Sequence, residues 1–271
     1  MAAPFLNAVL ADRIDLGPQL AVVRVVPDKW EFPVFKAGQF AVLGLPGSTP
    51  RCAGSKPDLK PLPPEKFIQR AYSIASTPLT KEYIEFYITL VAEGALTPRL
   101  WSLKMGDKIW LSPKISGQFV MDDIPENQNI VFISTGTGLA PFVAMLQTFL
   151  HTSKKRKFAL FHGVRQSQDL SYRSELLTMQ RISPQFHYFP IISRKKDDPV
   201  PWNGHEGRVN LLWEEKVVEK AWGFKATPAN THIFLCGNPV MIEEMIVKLG
   251  TEGFTEHKPA TPGTIHVERY W

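Results

Sequence analysis

The sequence predicts two domains: a six-stranded antiparallel β-barrel, then a doubly wound parallel α/β sheet. Three observations lead there. The first half is a series of short β-type runs broken by proline and glycine. The second half alternates apolar strand runs with amphipathic helical segments. The change of pattern falls near Asp122–Asn127, and 271 residues suit two cores better than one, so the domains are drawn at 1–123 and 124–271.

In the first half, residues 5–14 and 19–26 are rich in branched and apolar side chains and are parted by Leu16-Gly17-Pro18. Gln39–Leu45 follows the turn Lys36-Ala37-Gly38, and a further run ends at Arg70-Ala71-Tyr72-Ser73. Tyr83–Val91 is the clearest strand: Ile84, Phe86, Ile88 and Leu90 share one face, and Tyr83, Glu85, Tyr87 and Thr89 the other. Lys108–Leu111 comes after Met105-Gly106-Asp107. Between Leu45 and Ile68, six prolines and two glycines without periodicity read as a long exposed loop.

In the second half, Ile130–Ser134 runs into Thr135-Gly136-Thr137-Gly138, followed by a helix with Leu139, Phe142, Val143, Leu146 and Leu150 at helical spacing. Strands are expected at Phe158–Gly163, Phe186–Ser193 and His232–Cys236. Asn238-Pro239 supplies an N-cap and an N1 proline for a helix whose stripe is Ile242, Met245, Ile246 and Leu249.

Composition narrows the class. Hydrophobic residues at 44% and charged residues at 21% are ordinary for a soluble globular protein, and no apolar run is long enough to span a bilayer. The start of the chain has neither the basic nor the long apolar region of a signal peptide. Cys52 and Cys236 show no metal-ligand spacing and no disulfide framework, so no metal is expected and a reducing cytoplasm fits. A net charge of +5 suits an acidic partner or a phosphorylated ligand. Lys154-Lys155-Arg156-Lys157 sits between a helix and a strand and reads as a solvated loop, not a nucleic-acid patch.

Several motifs offer ligand chemistry, and each has a bland structural reading beside it. Arg70 and Tyr72 share one side of a strand and Ser73 the other. A flat charged ligand wrapping past the strand end meets all three; an ordinary surface strand has the same appearance. Gly136 and Gly138, between strand and helix, let a backbone approach phosphate, or simply make a tight turn. Glu93-Gly94-Ala95-Leu96-Thr97-Pro98-Arg99-Leu100 forms an anion cradle of amides and the Thr97 hydroxyl, or only a capped turn. Cys236-Gly237-Asn238-Pro239 ends a parallel strand, where doubly wound sheets bind ligands, though a buried inert thiol reads the same. Arg165, Arg194 and Arg208, with Ser193, follow strand ends or turns and suit a nucleotide 2′-phosphate as a set. The ending Val267-Glu268-Arg269-Tyr270-Trp271 places two aromatics where they dock on something flat or on the protein's own core.

Taken in order, these motifs resemble the bacterial ferredoxin–NADP⁺ reductases of the plant-type ferredoxin reductase superfamily, over nearly the whole chain; Phe161-His162-Gly163-Val164-Arg165 and Asp169-Leu170-Ser171-Tyr172 add to the likeness. The resemblance implies an FAD-binding barrel and an NADP(H)-binding α/β domain. Around FAD it implies Arg70 on the pyrophosphate, Ala71 and Tyr72 at the ring, Ser73 near N5, and Tyr87, Ile88 and Thr89 along the flavin. Ala95, Leu96 and Thr97 would hold the pyrophosphate, Thr137 would reach the cofactor from the second domain, and Tyr270 and Trp271 would cover the flavin's other face and the adenine end. NADP(H) would fall to Val164, Arg165, Ser193, Arg194, Arg208, Gly237, Asn238 and Pro239. Ser73, Cys236, Glu268 and a movable Tyr270 would border the point of hydride transfer, with Glu268 relaying protons. The implied enzyme is a monomeric ferredoxin–NADP⁺ reductase passing electrons between NADP(H) and an acidic ferredoxin or flavodoxin. An NADPH-dependent flavin or quinone reductase, or a separate oxygenase reductase component, is the alternative; a fused iron–sulfur cluster is excluded for want of four cysteines. The proline-rich loop and the segment from Glu252 to Pro262 have no functional reading.

Overall fold

A computed structural model describes residues 5–58, 63 and 65–269. The Cα framework separates into two compact units, Met1–Val120 with Val143–Met145, and Met121–Phe142 with Leu146–Trp271.

The first unit contains β1 (Ala8–Gly17), β2 (Leu20–Pro27), β3 (Phe40–Pro46), β4 (Phe67–Ser73), β5 (Ile84–Thr89), helix α1 (Thr97–Ser102) and β6 (Lys108–Leu111). All pairings are antiparallel, in the order β4-β3-β6-β1-β2-β5. Ile74, just past β4, bridges Phe86, and the Ala75 amide donates to the Glu85 carbonyl at 2.8 Å. That link joins the two outer strands and closes the barrel, leaving fewer open edges. Ala21, Val23 and Val25 of β2 and Ile84, Phe86 and Ile88 of β5 fill its core. The other face of β5 is also covered. Glu85 and Tyr87 are buried, and the Glu85 carboxylate accepts from Arg24 Nε at 2.8 Å across the β2–β5 register. A carboxylate at that depth needs such a partner.

The second unit contains β7 (Asn129–Thr135), α2 (Ala140–Phe149), β8 (Phe158–Val164), α3 (Arg173–Ile182), β9 (Phe186–Ile192), β10 (His205–Glu206), α4 (Val209–Glu214), α5 (Val217–Trp222), β11 (Thr231–Cys236), α6 (Pro239–Gly250) and β12 (Ile265–Glu268). The sheet is wholly parallel, in the order β10-β9-β8-β7-β11-β12. Its central strands are buried on both faces, as their continuous apolar runs require. Val131, Ile133, Phe161, Ile233 and Leu235 meet α4, α5 and α6 on one face. On the other, Phe132 stacks on Phe142 with ring centroids 4.7 Å apart and leans on Phe158 and Phe234.

Two expectations need correction. The Lys154–Lys157 loop is not simply solvated: Arg156 is buried and donates to the Ile124 carbonyl at 2.8 Å, and Lys157 Nζ donates to the Trp222 carbonyl at 2.8 Å. The proline-rich stretch is not a free exposed loop either. Its first part is stitched to the segment after β5: Cys52 N donates to Pro98 O at 2.9 Å and Lys56 N to Ala92 O at 3.1 Å. Among the described residues, no helix is long and apolar enough to cross a membrane.

Candidate functional site

In the parallel sheet, β8 and β9 lie to one side of β7 and β11 to the other. The switch point, where such sheets bind ligands beyond their carboxyl ends, is therefore between β7 and β11. The two turns picked out by sequence meet there. Asn238 N donates to Thr135 Oγ1 at 2.7 Å, and a Cβ on Gly138 would stand 2.3 Å from the Cys236 carbonyl oxygen. Gly138 is thus spent on turn-to-turn packing. Gly136 has φ +54° and open space where a Cβ would point, so it keeps the room a ligand backbone needs. Asn238 caps α6, its side chain accepting from Val240 N at 2.8 Å with Pro239 next.

Cys236 and Glu268 face each other in the β11–β12 register, with Sγ to Oε2 at 3.9 Å, the long end for a thiol donor. Cys236 is fully buried and Glu268 partly exposed. Ser73, the third member of the group, belongs to the barrel unit. Arg269, next after Glu268, is held by Glu243 and Glu256, each at 2.9 Å; Glu256 lies in the segment that carried no sequence reading. Tyr270 and Trp271 lie outside the described residues.

Beyond β8 and β9, Ser193 N donates to Val164 O at 3.0 Å and Arg194 N to Arg165 O at 2.9 Å. These bonds set Arg165 and Arg194 side by side on adjacent strand extensions. Both are exposed, and neither has an acidic partner among the described residues. The Ser193 hydroxyl donates to Val164 O at 3.3 Å. Arg208 starts α4, brought near by Gly207 N donating to Ile192 O at 2.8 Å, but its guanidinium is 3.7 Å from Glu244. It is the partly neutralised member of the set.

In the barrel, Arg70 is exposed, and its guanidinium donates to its neighbour's carbonyl, Gln69 O, at 2.7 Å. Ala71 is exposed, Tyr72 half-buried with its ring edge-on to Phe86, and Ser73 buried. Burial pushes the Tyr72 hydroxyl well above its ordinary pKa, so it stays protonated. Tyr87 is buried and Thr89 exposed; the Ile88 side chain belongs to the barrel core, leaving only its backbone for a ligand.

The segment after β5 holds the amide cradle. The amides of Ala95, Leu96 and Thr97 donate to no acceptor among the described residues. Thr97 is the first residue of α1 and not its cap, which is Leu96. The Thr97 hydroxyl is turned back to the loop, accepting from Val91 N at 3.0 Å and donating to Val91 O at 3.2 Å. Any anion is therefore left mainly to the amides. Sequence reasoning missed Arg51, Asp58 and Arg99, which sit behind this cradle in one ion-pair network. The available signal was Arg99 inside an otherwise apolar helical turn, since a buried cation demands a partner.

Comparison with known proteins bears on the family and the fold. The profile of the family described as "Oxidoreductase NAD-binding domain" matches residues 132–246. A crystal structure of a ferredoxin NADP⁺ reductase from Neisseria gonorrhoeae, with bound FAD and NADP, superposes with a TM-score of 0.81 at 24% identity, covering 98% of both chains. The cytochrome b5 reductase domain of Ulva prolifera nitrate reductase shares the fold more distantly, with a TM-score of 0.71 at 18% identity, covering 98% of this chain and all of that one. Among curated proteins, the ferredoxin–NADP reductase of Pseudomonas aeruginosa is 30% identical over 244 residues, 87% of this chain and 86% of its own length. The flavodoxin/ferredoxin–NADP reductase of Buchnera aphidicola from Baizongia pistaciae is 32% identical over 239 residues, 88% of each. The chain belongs to the flavodoxin/ferredoxin–NADP reductase family.

Proposed function

We propose that this protein is an FAD-dependent oxidoreductase that moves electrons between NADP(H), as a hydride, and ferredoxin or flavodoxin, one at a time. The carrying observation is the pair Arg165 and Arg194, fixed together at the carboxyl edge of the sheet with no carboxylate partner among the described residues. Two planar guanidinium forks suit a terminal phosphate and not a hydroxyl, which is the difference between NADP(H) and NAD(H). Ser193 adds a hydroxyl beside them, Arg208 a third cation, and Val164 and the Gly237–Pro239 turn the backbone around the nucleotide.

The barrel fits FAD on its own features. The amides of Ala95–Thr97, with no acceptor among the described residues, and the exposed Arg70 guanidinium, bonded at one nitrogen to Gln69 O, suit a pyrophosphate. Ala71, Tyr72, Tyr87 and the backbone of Ile88 and Thr89 supply surface for a flat ring, and Thr137 is assigned to the same cofactor. FAD, when bound, takes up a hydride and passes electrons on singly. The residues do the rest. Arg165 and Arg194 fix the nucleotide, the Thr135–Gly138 and Cys236–Pro239 turns form a rigid floor, and Cys236 packs where water is excluded. Glu268, partly exposed beside Cys236, holds or releases a proton, and the Ser73 hydroxyl is assigned to the same transfer. The roles of covering the ring until nicotinamide displaces it, and of meeting the adenine end, are assigned to Tyr270 and Trp271 on the family resemblance alone. The functional domains are drawn at 1–123 and 124–271, whereas the Cα framework divides after Val120. The chain works as a cytoplasmic monomer with an acidic electron-transfer partner.

The test is anaerobic stopped-flow reduction of the purified protein by NADPH, then reoxidation by ferredoxin or flavodoxin. The expected protein is yellow and prefers NADPH to NADH by more than about tenfold, the worth of one good charge-assisted contact. Equal use of both nucleotides overturns the arginine assignment. Transfer to free flavin or quinone, but to neither protein, replaces the partner reading.

A further inference from the structure

We propose that Asp58, through Arg51 and Arg99, is a positioning residue that aims the amides of Ala95 and Leu96 at the FAD pyrophosphate; this rests on the flavin reading above. The segment from Ala92 to Leu96 has no strand partner. Its internal support is one turn bond, Gly94 N to Val91 O at 2.8 Å, and the Thr97 hydroxyl on Val91. Such a loop does not orient three amides unaided.

The orientation comes from the carbonyls. In a trans peptide the carbonyl of one residue and the amide of the next lie in one plane and point opposite ways. Whatever grips the carbonyl therefore aims the amide. Arg51 Nη1 donates to Gly94 O at 3.0 Å, which fixes the Ala95 amide. Arg99 Nη1 donates to Ala95 O at 2.7 Å, which fixes the Leu96 amide. Leu96 O accepts from the amides of Arg99 and Leu100 at 2.9 and 3.0 Å, so α1 itself fixes the Thr97 amide. Arg51 Nη2 further ties Ala92 O at 2.8 Å.

Two guanidinium groups as little exposed as these, 14% for Arg51 and 4% for Arg99, need an anion between them. Asp58 supplies it: Oδ1 accepts from Arg51 Nη1 at 2.7 Å and Arg99 Nη1 at 3.0 Å, and Oδ2 from Arg99 Nη2 at 2.7 Å. The Arg99 side chain is only 4% exposed and that of Asp58 18%, so these charges are screened little by solvent. The trio keeps one net positive charge behind the cradle, which favours the bound diphosphate. The proline-rich loop thus acquires a purpose: it delivers Asp58.

The test is titration of apoprotein with FAD by flavin fluorescence, alongside riboflavin, which has the ring and no pyrophosphate. Asp58→Ala is expected to raise the FAD Kd by about tenfold or more and to leave the riboflavin Kd unchanged. Asp58→Asn, which keeps the shape and one acceptor, should recover part of the loss. Asp58→Ala, which leaves the buried Arg99 without its anion, should also melt lower, so the comparison is made at a temperature where each apoprotein is folded, and the unchanged riboflavin Kd separates the clamp from general loss of structure. An unchanged FAD Kd in both variants, or equal loss for FAD and riboflavin, overturns the proposal. A wild-type protein that binds no FAD overturns the flavin reading itself and the clamp with it; tight FAD binding by wild type and variants alike overturns the clamp alone.

Discussion

Replacing Arg194 by alanine isolates the proposed 2′-phosphate contact, because its guanidinium has no other partner among the described residues. The side chain is exposed and makes no ion pair among the described residues, while the backbone bond from its amide to Arg165 O at 2.9 Å survives truncation. Stability should therefore move by no more than about 0.5 kcal/mol, the usual range for such surface positions. A hydrogen bond from a cation to a phosphate contributes about 1.5–3 kcal/mol. With about 1.4 kcal/mol per tenfold, kcat/KM for NADPH should fall roughly 10- to 150-fold, toward the lower end because water screens an exposed site. NADH presents a hydroxyl there, so its kcat/KM should hardly change. Arg165→Ala should behave alike. The double variant should lose less than the two singles together if, as proposed, both forks grip one phosphate, since their effects are then coupled. Steady-state kinetics with both nucleotides decides it. A fall shared equally by NADPH and NADH, or no fall with NADPH, would refute the assignment.

Four further outcomes are expected. Gly138→Ala forces a Cβ to 2.3 Å from the Cys236 carbonyl oxygen and should cost about 1–3 kcal/mol in urea unfolding, whereas Gly136→Ala, in open space at φ +54°, should cost only the left-handed backbone penalty of about 1–2 kcal/mol. Cys236→Ala should slow hydride transfer by at least about tenfold with the flavin spectrum unchanged, since the thiol's place beside Glu268 is one of alignment; an unaltered rate removes it from the site. Deleting Tyr270 and Trp271 should change both nicotinamide affinity and the hydride-transfer rate, and unchanged kinetics would dismiss the gate. The Asp58 carboxyl is held below its ordinary pKa of 3.8, chiefly by the Arg99 hydrogen bond and against the pull of burial. The folded pKa being the lower, its contribution is full above the unfolded value and is lost as pH falls through the folded one. The FAD-affinity gap between wild type and Asp58→Ala should accordingly be constant above about pH 4 and close below it.

The fold was legible where one physical demand governs a whole segment. Ile130–Ser134 and Phe158–Gly163 read as strands because a sheet covered on both faces needs unbroken apolar runs, and both strands lie there with edges shifted by a residue. The helix after Asn238-Pro239 announced itself by its cap. Legibility failed where charge is buried. Arg156 reads as one cation in a basic run, and nothing local says that it turns inward to Ile124 O. Glu85 looked like the polar side of an alternating strand; only the β2–β5 register, which sets Arg24 opposite, lets that side be covered.

The same distinction separates the two halves of the candidate site. A motif is readable when the ligand-facing atoms belong to it: the amides of Ala95–Thr97 lie within one short peptide, and the Thr135–Gly138 and Cys236–Pro239 turns each have a glycine that a tight backbone requires. What aims those atoms is not local. Asp58 reaches Arg99 across 41 positions of sequence, from a proline-rich stretch whose lack of periodicity hides it. Proline's fixed φ is part of the explanation. A loop that must deliver one carboxylate to two arginines pays less entropy on ordering if its backbone is already restricted. Its lack of helical or strand pattern then marks a segment built to hold one side chain, and Asp58 is the residue at which that reasoning is exposed to experiment.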